Sequence, residues 1–364
     1  MSTTTLPSQP AAAIGRNLNR RAARWRFLLP ILLLTIIAVV FASVVIGDNF
    51  SIAPLDVLRY LTGQGGIERL SEFGIGSRLP RSLLAVVVGA ALAAAGTLLQ
   101  ALTRNPLASP DILGVSQGVV AAVLGVTLVL PTLPYGLVDW VVPIGGVVGG
   151  LAAATVIYLV TRKMGSAEST QFILIGILVS GVLTSMTSLA LVFLGSDAVS
   201  VFGFISGSLD LKNWRDLWLT LAYLAPGTVL LLMAIPRANA LQLGDDLAIA
   251  LGQRQGRDRL IVVAAAVLLT AGAVITVGAL SFVGLVAPHM ARRLVGSDLR
   301  RLVPAACLLG GLLVLVSDFL ARNLQPHKLL GSFGEHLGYA YLPVGVYIAL
   351  FGVPFMISLI WRRR

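Results

Sequence analysis

Few side chains in this sequence could do chemistry, and their spacing argues against each reaction in turn. The three histidines, His289, His327 and His336, are scattered, and Cys307 stands alone, so neither an HExxH metal site nor a close Cys/His ligand cluster is present. No GxxxxGK(S/T) loop occurs, so the chain binds no nucleotide through a P-loop, and an ATP-driven step would need an ATPase on another chain. Ion-coupled carriers keep carboxylates or histidines midway along membrane helices, where a proton or sodium ion has to be held. Asp318 is the best candidate of that kind. It stands four residues before Arg322 near the expected outer end of its helix, and an i,i+4 ion pair explains it better than a relay.

The elements that would position these residues are membrane helices. Of 364 residues, 57% are hydrophobic and 12% charged, which describes an all-α polytopic membrane protein and not a water-soluble core. The net charge of +11 does not indicate nucleic acid, because the arginines sit in short clusters between apolar runs and form no stripe that could follow phosphates. Uncharged runs predict about ten transmembrane helices near 27–47, 82–103, 112–130, 140–161, 171–194, 217–235, 260–280, 283–295, 302–321 and 342–361. The first run is read as a membrane helix and not a signal peptide, being longer than a usual h-region.

Basic residues concentrate in alternate connections: five arginines before Phe27, then Arg104, Arg162 with Lys163, Arg237 to Arg259, Arg292 to Arg301, and Arg362 to Arg364. The positive-inside rule therefore puts both termini in the cytoplasm. The expected organisation is a basic tail over 1–26, a single permease domain over 27–361 with a cytoplasmic loop at 237–259, and a basic end at 362–364.

Four local features qualify this plan. Residues 198–209 are uncharged but too short to span and predict a re-entrant or interfacial helix. Gly145, Gly146, Gly149 and Gly150 predict close packing against a neighbouring helix. In the loop LQLGDDLAIALGQ, Asp245 can start and Gly252 can end a short amphipathic helix presenting Leu247, Ile249 and Leu251. Pro110–Asp111 and Pro288–His289 each follow a long apolar helix and precede a glycine, which predicts two pseudo-repeated halves, 82–194 and 260–361, broken at matching places.

The stretches RLPR at 78–81, Leu98-Leu99-Gln100, Arg104-Asn105-Pro106-Leu107-Ala108-Ser109-Pro110-Asp111, LGDDLAIALG at 243–252, SFVGLVAPHMARRLVG at 281–296 and LPVGVYIALFGVPFM at 342–356 together resemble permease subunits of ATP-binding-cassette importers for iron–siderophore complexes, haem and cobalamin, the FecCD family. The resemblance runs in order from about residue 30 to 361. It implies a type II importer in the bacterial cytoplasmic membrane. Such an importer has two permease subunits around a central path, two cytoplasmic ATPases that bind ATP and Mg below it, and an extracytoplasmic binding protein above. This chain would then bind no cofactor of its own and carry no catalytic residue.

The same resemblance implies site roles. Arg78, Arg81 and Arg322 match arginines that dock the binding protein, and as exposed outer-face guanidiniums they would suit its carboxylates. Asn105 and Leu107 match one layer of a cytoplasmic gate, Ser169 and Thr170 the other. Leu241 through Gly252, with Gly244, Asp245, Asp246 and Leu251, matches the segment that couples to the ATPase. The small, apolar stretch Gly89 to Gly96 is expected to line a wide path for a bulky ferric chelate. Tyr341 stands where many members have Glu, and the outer loop 323–340 is long and carries His327, Lys328, Glu335 and His336. Some subunits of heterodimeric ferric-catecholate systems share that departure, which favours a heterodimeric siderophore importer over a homodimer.

Overall fold

In the computed structural model of the chain, the described residues are 11–47, 52–61, 70–129, 134–163, 169–194, 198–324 and 342–361. Tyr341, His327, Lys328, Glu335 and His336, and the basic end Arg362 to Arg364, lie outside them. The described residues are helical with short connections: α1 (Ala11–Val45), α2 (Pro54–Leu61), a π-helical turn (Leu70–Arg78), α3 (Leu79–Thr103), α4 (Val115–Val129), α5 (Tyr135–Lys163), α6 (Ser169–Leu194), α7 (Ala198–Ser206), α8 (Trp214–Leu241), α9 (Asp245–Ala250), α10 (Gln255–Val277), α11 (Val283–Val295), α12 (Leu299–Asn323) and α13 (Val344–Trp361). Each of the ten expected membrane helices has its counterpart, and α1 begins within the expected tail, at Ala11.

Seven of these helices are long and apolar enough to cross a bilayer, and Val115–Leu128 and Val344–Ser358 are shorter apolar helices. At 15 and 13 residues, α4 and α11 rise only about 20 Å, against a hydrocarbon core of about 30 Å. Irregular backbone, 104–114 before α4 and 278–282 before α11, continues each of them. Such backbone is tolerated at membrane depth only where protein surrounds it, and here Ser109, Leu113, Ala279 and Leu280 are buried.

The short α7 lies where a re-entrant helix was expected. Its end wedges between α10 and α13: Ser208 N–H donates to Val277 O at 2.8 Å, and a Cβ on Gly345 would come within 2.1 Å of Ser206 O. Two series of helices follow one order, long, short, long and a further helix: α3 to α6, with 25, 15, 29 and 26 residues, and α10 to α13, with 23, 13, 25 and 18. The break in the second series is not at Pro288–His289, as the sequence pattern placed it. Pro288 lies within α11, and the chain leaves helical geometry earlier, at Gly278 (φ +78) through Phe282 (φ +67). A proline inside a helix, as Pro288 at the sixth position of α11, removes one backbone hydrogen bond and can leave the helix continuous, whereas a positive φ ends one.

Helix α3 is the centre of the packing, with 78% of its apolar span buried. Its small residues set the approach of its neighbours. A Cβ on Gly89 would stand 2.3 Å from Gly310 O of α12, and one on Gly96 only 1.8 Å from Gly284 O of α11. Gly89 to Gly96 is therefore an interhelical seam and lines no path within this chain, which corrects the expectation from its composition. Small residues let two backbones meet, and what meets them here is another helix of the same chain. The expected packing of the α5 glycines is present, with Gly149 against Gly118 of α4.

Candidate functional site

The two interrupted helices meet inside the chain. Thr103 ends α3, Arg104 turns the backbone through φ +52, and Pro106 cannot resume a helix. The Asn105 side chain then accepts the Leu107 N–H at 2.9 Å, an Asx turn that leaves Leu107 43% exposed. The connection next turns inward. The carboxylate of Asp111 accepts the Ser116 hydroxyl at 2.6 Å, and the backbone amide of Phe282, the residue just before α11, is directed at the same carboxylate. Asp111 O accepts from Ser180 of α6 at 3.1 Å, and a Cβ on Gly284 would stand 2.9 Å from Pro110 Cδ. The first interruption thus caps the second, and α6 holds the pair from a third side.

Just inward of this junction, Gln100 is buried, donates to Gly284 O and accepts from Arg292, each at 3.4 Å. Asp111 and Gln100 were visible in the sequence only as parts of motifs. Their partners are 184 residues away for Gln100 and 69 for the Asp111 carbonyl, beyond any local spacing rule.

Of the expected gate residues, Asn105 and Leu107 sit in the first interruption, while Ser169 and Thr170 are the first two residues of α6. The side chains of Ser169 and Thr170 lie outside the described residues.

The arginines expected on the outer face are not the exposed groups that the sequence suggests. Arg81 binds Asp318 through Nε at 2.9 Å and Nη2 at 2.7 Å, and Asp210 through Nη1 at 2.7 Å, with 13% of its side chain exposed. Arg322 Nε lies 3.3 Å from Asp318 Oδ2, the expected i,i+4 pair, and Arg322 also donates to Ser43. Arg78 donates to Val44 O at 2.9 Å. Asp318 has no exposed side-chain surface, and two guanidiniums offset the cost of burying its charge. The reason for the difference is Asp210 and Asp318, whose pairing with Arg81 over 237 residues in the second case no local pattern reveals.

On the opposite side, α9 stands between two left-handed glycines, Gly244 (φ +115) and Gly252 (φ +81). Ala248 is buried against the chain, and Leu243, Leu247, Ile249 and Leu251 point outward, each more than half exposed. Asp245 is the first residue of this helix and Asp246 is exposed, whereas Leu241 ends α8 and is buried. Leu241 therefore anchors the segment and is not available for a contact. Just before α9, Asn239 donates to Asp298 at 2.8 Å and accepts the Leu299 N–H at 2.9 Å, which ties the loop to the start of α12.

Comparison with known proteins matches residues 33–362 to the model of the FecCD transport family. An Fe(3+)-citrate import system permease protein of Bacillus subtilis is 33% identical over 336 residues, covering 92% of this chain and 95% of that protein. A hemin transport system permease protein of Yersinia pestis is 37% identical over 291 residues, with 79% and 82% covered. Among solved structures, a transporter assigned to the metal-chelate ABC type, in an inward-facing conformation, superposes with a TM-score of 0.72 at 26% identity, over 93% of this chain and 99% of that one.

Proposed function

The chain belongs to the FecCD transport family and is a multi-pass permease subunit of the ATP-binding-cassette importer type, and from that premise we propose that it carries a ferric siderophore inward across the bacterial cytoplasmic membrane. The observation that carries the substrate class is the nearly full-length alignment with a permease for ferric citrate, another iron chelate. Iron wrapped in its chelator needs a path that accommodates bulk, not protein ligands. Two helix interruptions packed on one another suit such a path, because a short shift of α11 would be felt at once by Asn105 and Leu107.

The remaining roles follow from place in the fold. Residues 27–361 act as one permease domain with both termini in the cytoplasm. Two cytoplasmic ATPases, which bind ATP and Mg, seat on α9 through Gly244, Asp245, Asp246, Leu251 and Gly252, with Leu241 as its anchor. An extracytoplasmic binding protein docks at Arg78, Arg81 and Arg322. Its carboxylates would compete with Asp210, the more exposed partner of Arg81 at 42% of its side chain. Asn105, Leu107, Ser169 and Thr170 form the cytoplasmic gate. A second, distinct permease chain completes the path, in keeping with Tyr341.

A haem importer is the second reading, favoured by the 37% identity to the hemin permease, and a cobalamin importer shares the same motifs. Reconstitution with its ATPase and binding protein in liposomes tests the assignment. ATP-dependent uptake of iron from a ferric siderophore, exceeding that of haem and cobalamin at least tenfold, is expected. Uptake by the chain alone without an ATPase would overturn the importer reading, and preference for haem would overturn the substrate.

A further inference from the structure

Between the cytoplasmic ends of α8 and α10 lies a cavity of about 360 Å³ lined by Arg237, Arg254, Arg257, Asp258, Gln253 and Pro236. Its charges are unbalanced. Asp258 spends one carboxylate oxygen on Arg237 Nε, at 2.9 Å, and the other on the Arg254 N–H, at 2.8 Å. Three arginines against one aspartate leave a net charge of +2 (3 − 1). Among the described residues, the guanidiniums of Arg254 and Arg257 have no ion-pair or hydrogen-bond partner, and both residues are exposed. The first turn of α10 faces the same place, with Gly256 meeting nothing within 4 Å of where a Cβ would stand. A cation-lined cavity at the amide end of a helix attracts an anion.

What surrounds the cavity names the anion. One turn along α10 from Arg257, Leu260 is 67% exposed, and one turn before Arg237 on α8, Leu232 and Met233 are 68% and 40% exposed. These side chains belong to the stretches of α8 and α10 that cross the membrane. The basic cavity therefore adjoins an apolar face on its membrane side, at the level where positive-inside charge meets inner-leaflet headgroups. We propose that this cavity binds the phosphate of an anionic phospholipid of the inner leaflet, with an acyl chain along Leu232 and Leu260. Because the cavity adjoins α9 through Gly252 and Gln253, such a lipid would brace the coupling loop from its membrane side.

The test uses the full-length chain purified in mild detergent, exposed to equal phosphatidylglycerol and phosphatidylcholine, with retained lipid read by native mass spectrometry. Wild-type protein is expected to retain phosphatidylglycerol selectively. An Arg254→Gln/Arg257→Gln variant should lose at least tenfold of that retention while keeping its thermal unfolding midpoint and monodispersity. Equal retention by wild type and variant, or equal retention of the two lipids by wild type, would overturn the proposal. Leu260→Gln separates a lipid from a free anion: it should weaken phosphatidylglycerol retention several-fold. Unchanged retention in Leu260→Gln, together with displacement of the lipid by inorganic phosphate alone, would make the site one for free phosphate and sink the lipid assignment. Retained lipid in the double variant with loss of a co-purifying ATPase would make the arginines a protein contact instead.

Discussion

Helices α3 and α6 are both long enough to cross a bilayer and similar in hydropathy, yet 78% of the α3 span is buried in the chain and only 17% of the α6 span. The difference lies in side-chain size and its spacing. In α3, Gly89, Ala93 and Gly96 recur at intervals of four and three, which brings one stripe into backbone contact with α12 and α11. In α6, Leu178, Val182, Met186 and Phe193 point away from the fold, and the hydroxyls of Ser185 and Ser188 are satisfied within the helix, by Gly181 O and Thr184 O, each at 2.9 Å. An outward-facing helix can therefore carry hydroxyls without a partner helix. Hydropathy selects both helices for the membrane, whereas the spacing of small residues is what lets neighbours close on α3 and not on α6.

Substitutions can break this contrast. The largest effect is expected at the carboxylate that secures α3 through Arg81. Asp318→Asn removes the buried carboxylate that Arg81 and Arg322 share, leaving Arg81 to pair with Asp210 alone, and should cost about 3–5 kcal/mol, read as a lowered unfolding midpoint in detergent. Next, Gly96→Ala places a methyl against Gly284 O and should cost about 1–3 kcal/mol, with a clear fall in yield of monodisperse protein. Asn239→Ala removes the tie between the end of α8 and α12, and about 1 kcal/mol of stability should go with it. In the complex, its ATP-driven uptake should fall more than its stability does. The smallest effect sharpens the comparison from the other side. Gly181→Ala on α6 meets no atom within 4 Å and should stay within about 0.5 kcal/mol of wild type in the isolated chain. A larger loss appearing only in the assembled complex would mark this face as covered by a partner subunit.

Much of the fold was legible from residue order. Membrane helices need runs of apolar residues, so all ten could be placed along the chain, and the stop at Arg104-Asn105-Pro106 was visible from proline alone. The short helix α9 was legible because Asp245 can start such a helix and Gly252 can end it. The break at 278–282 was misplaced because Pro288 is the more conspicuous residue, while the positive φ of Phe282 comes from the fold around it. The outer site was legible as a cluster of arginines and misread as exposed, because burial depends on Asp210 and Asp318 arriving from elsewhere.

The sequence by itself determined the membrane class, the order of the helices, the short helix α9 and the family. These depend on local runs, caps and charge asymmetry, which short stretches of chain express without help. Only the tertiary structure decided that α3 is buried and α6 is not, that Asp111 caps the second interruption, and that Arg81 and Arg322 share one carboxylate. Each of those depends on a partner far away in the chain, and packing alone brings such partners within hydrogen-bond distance.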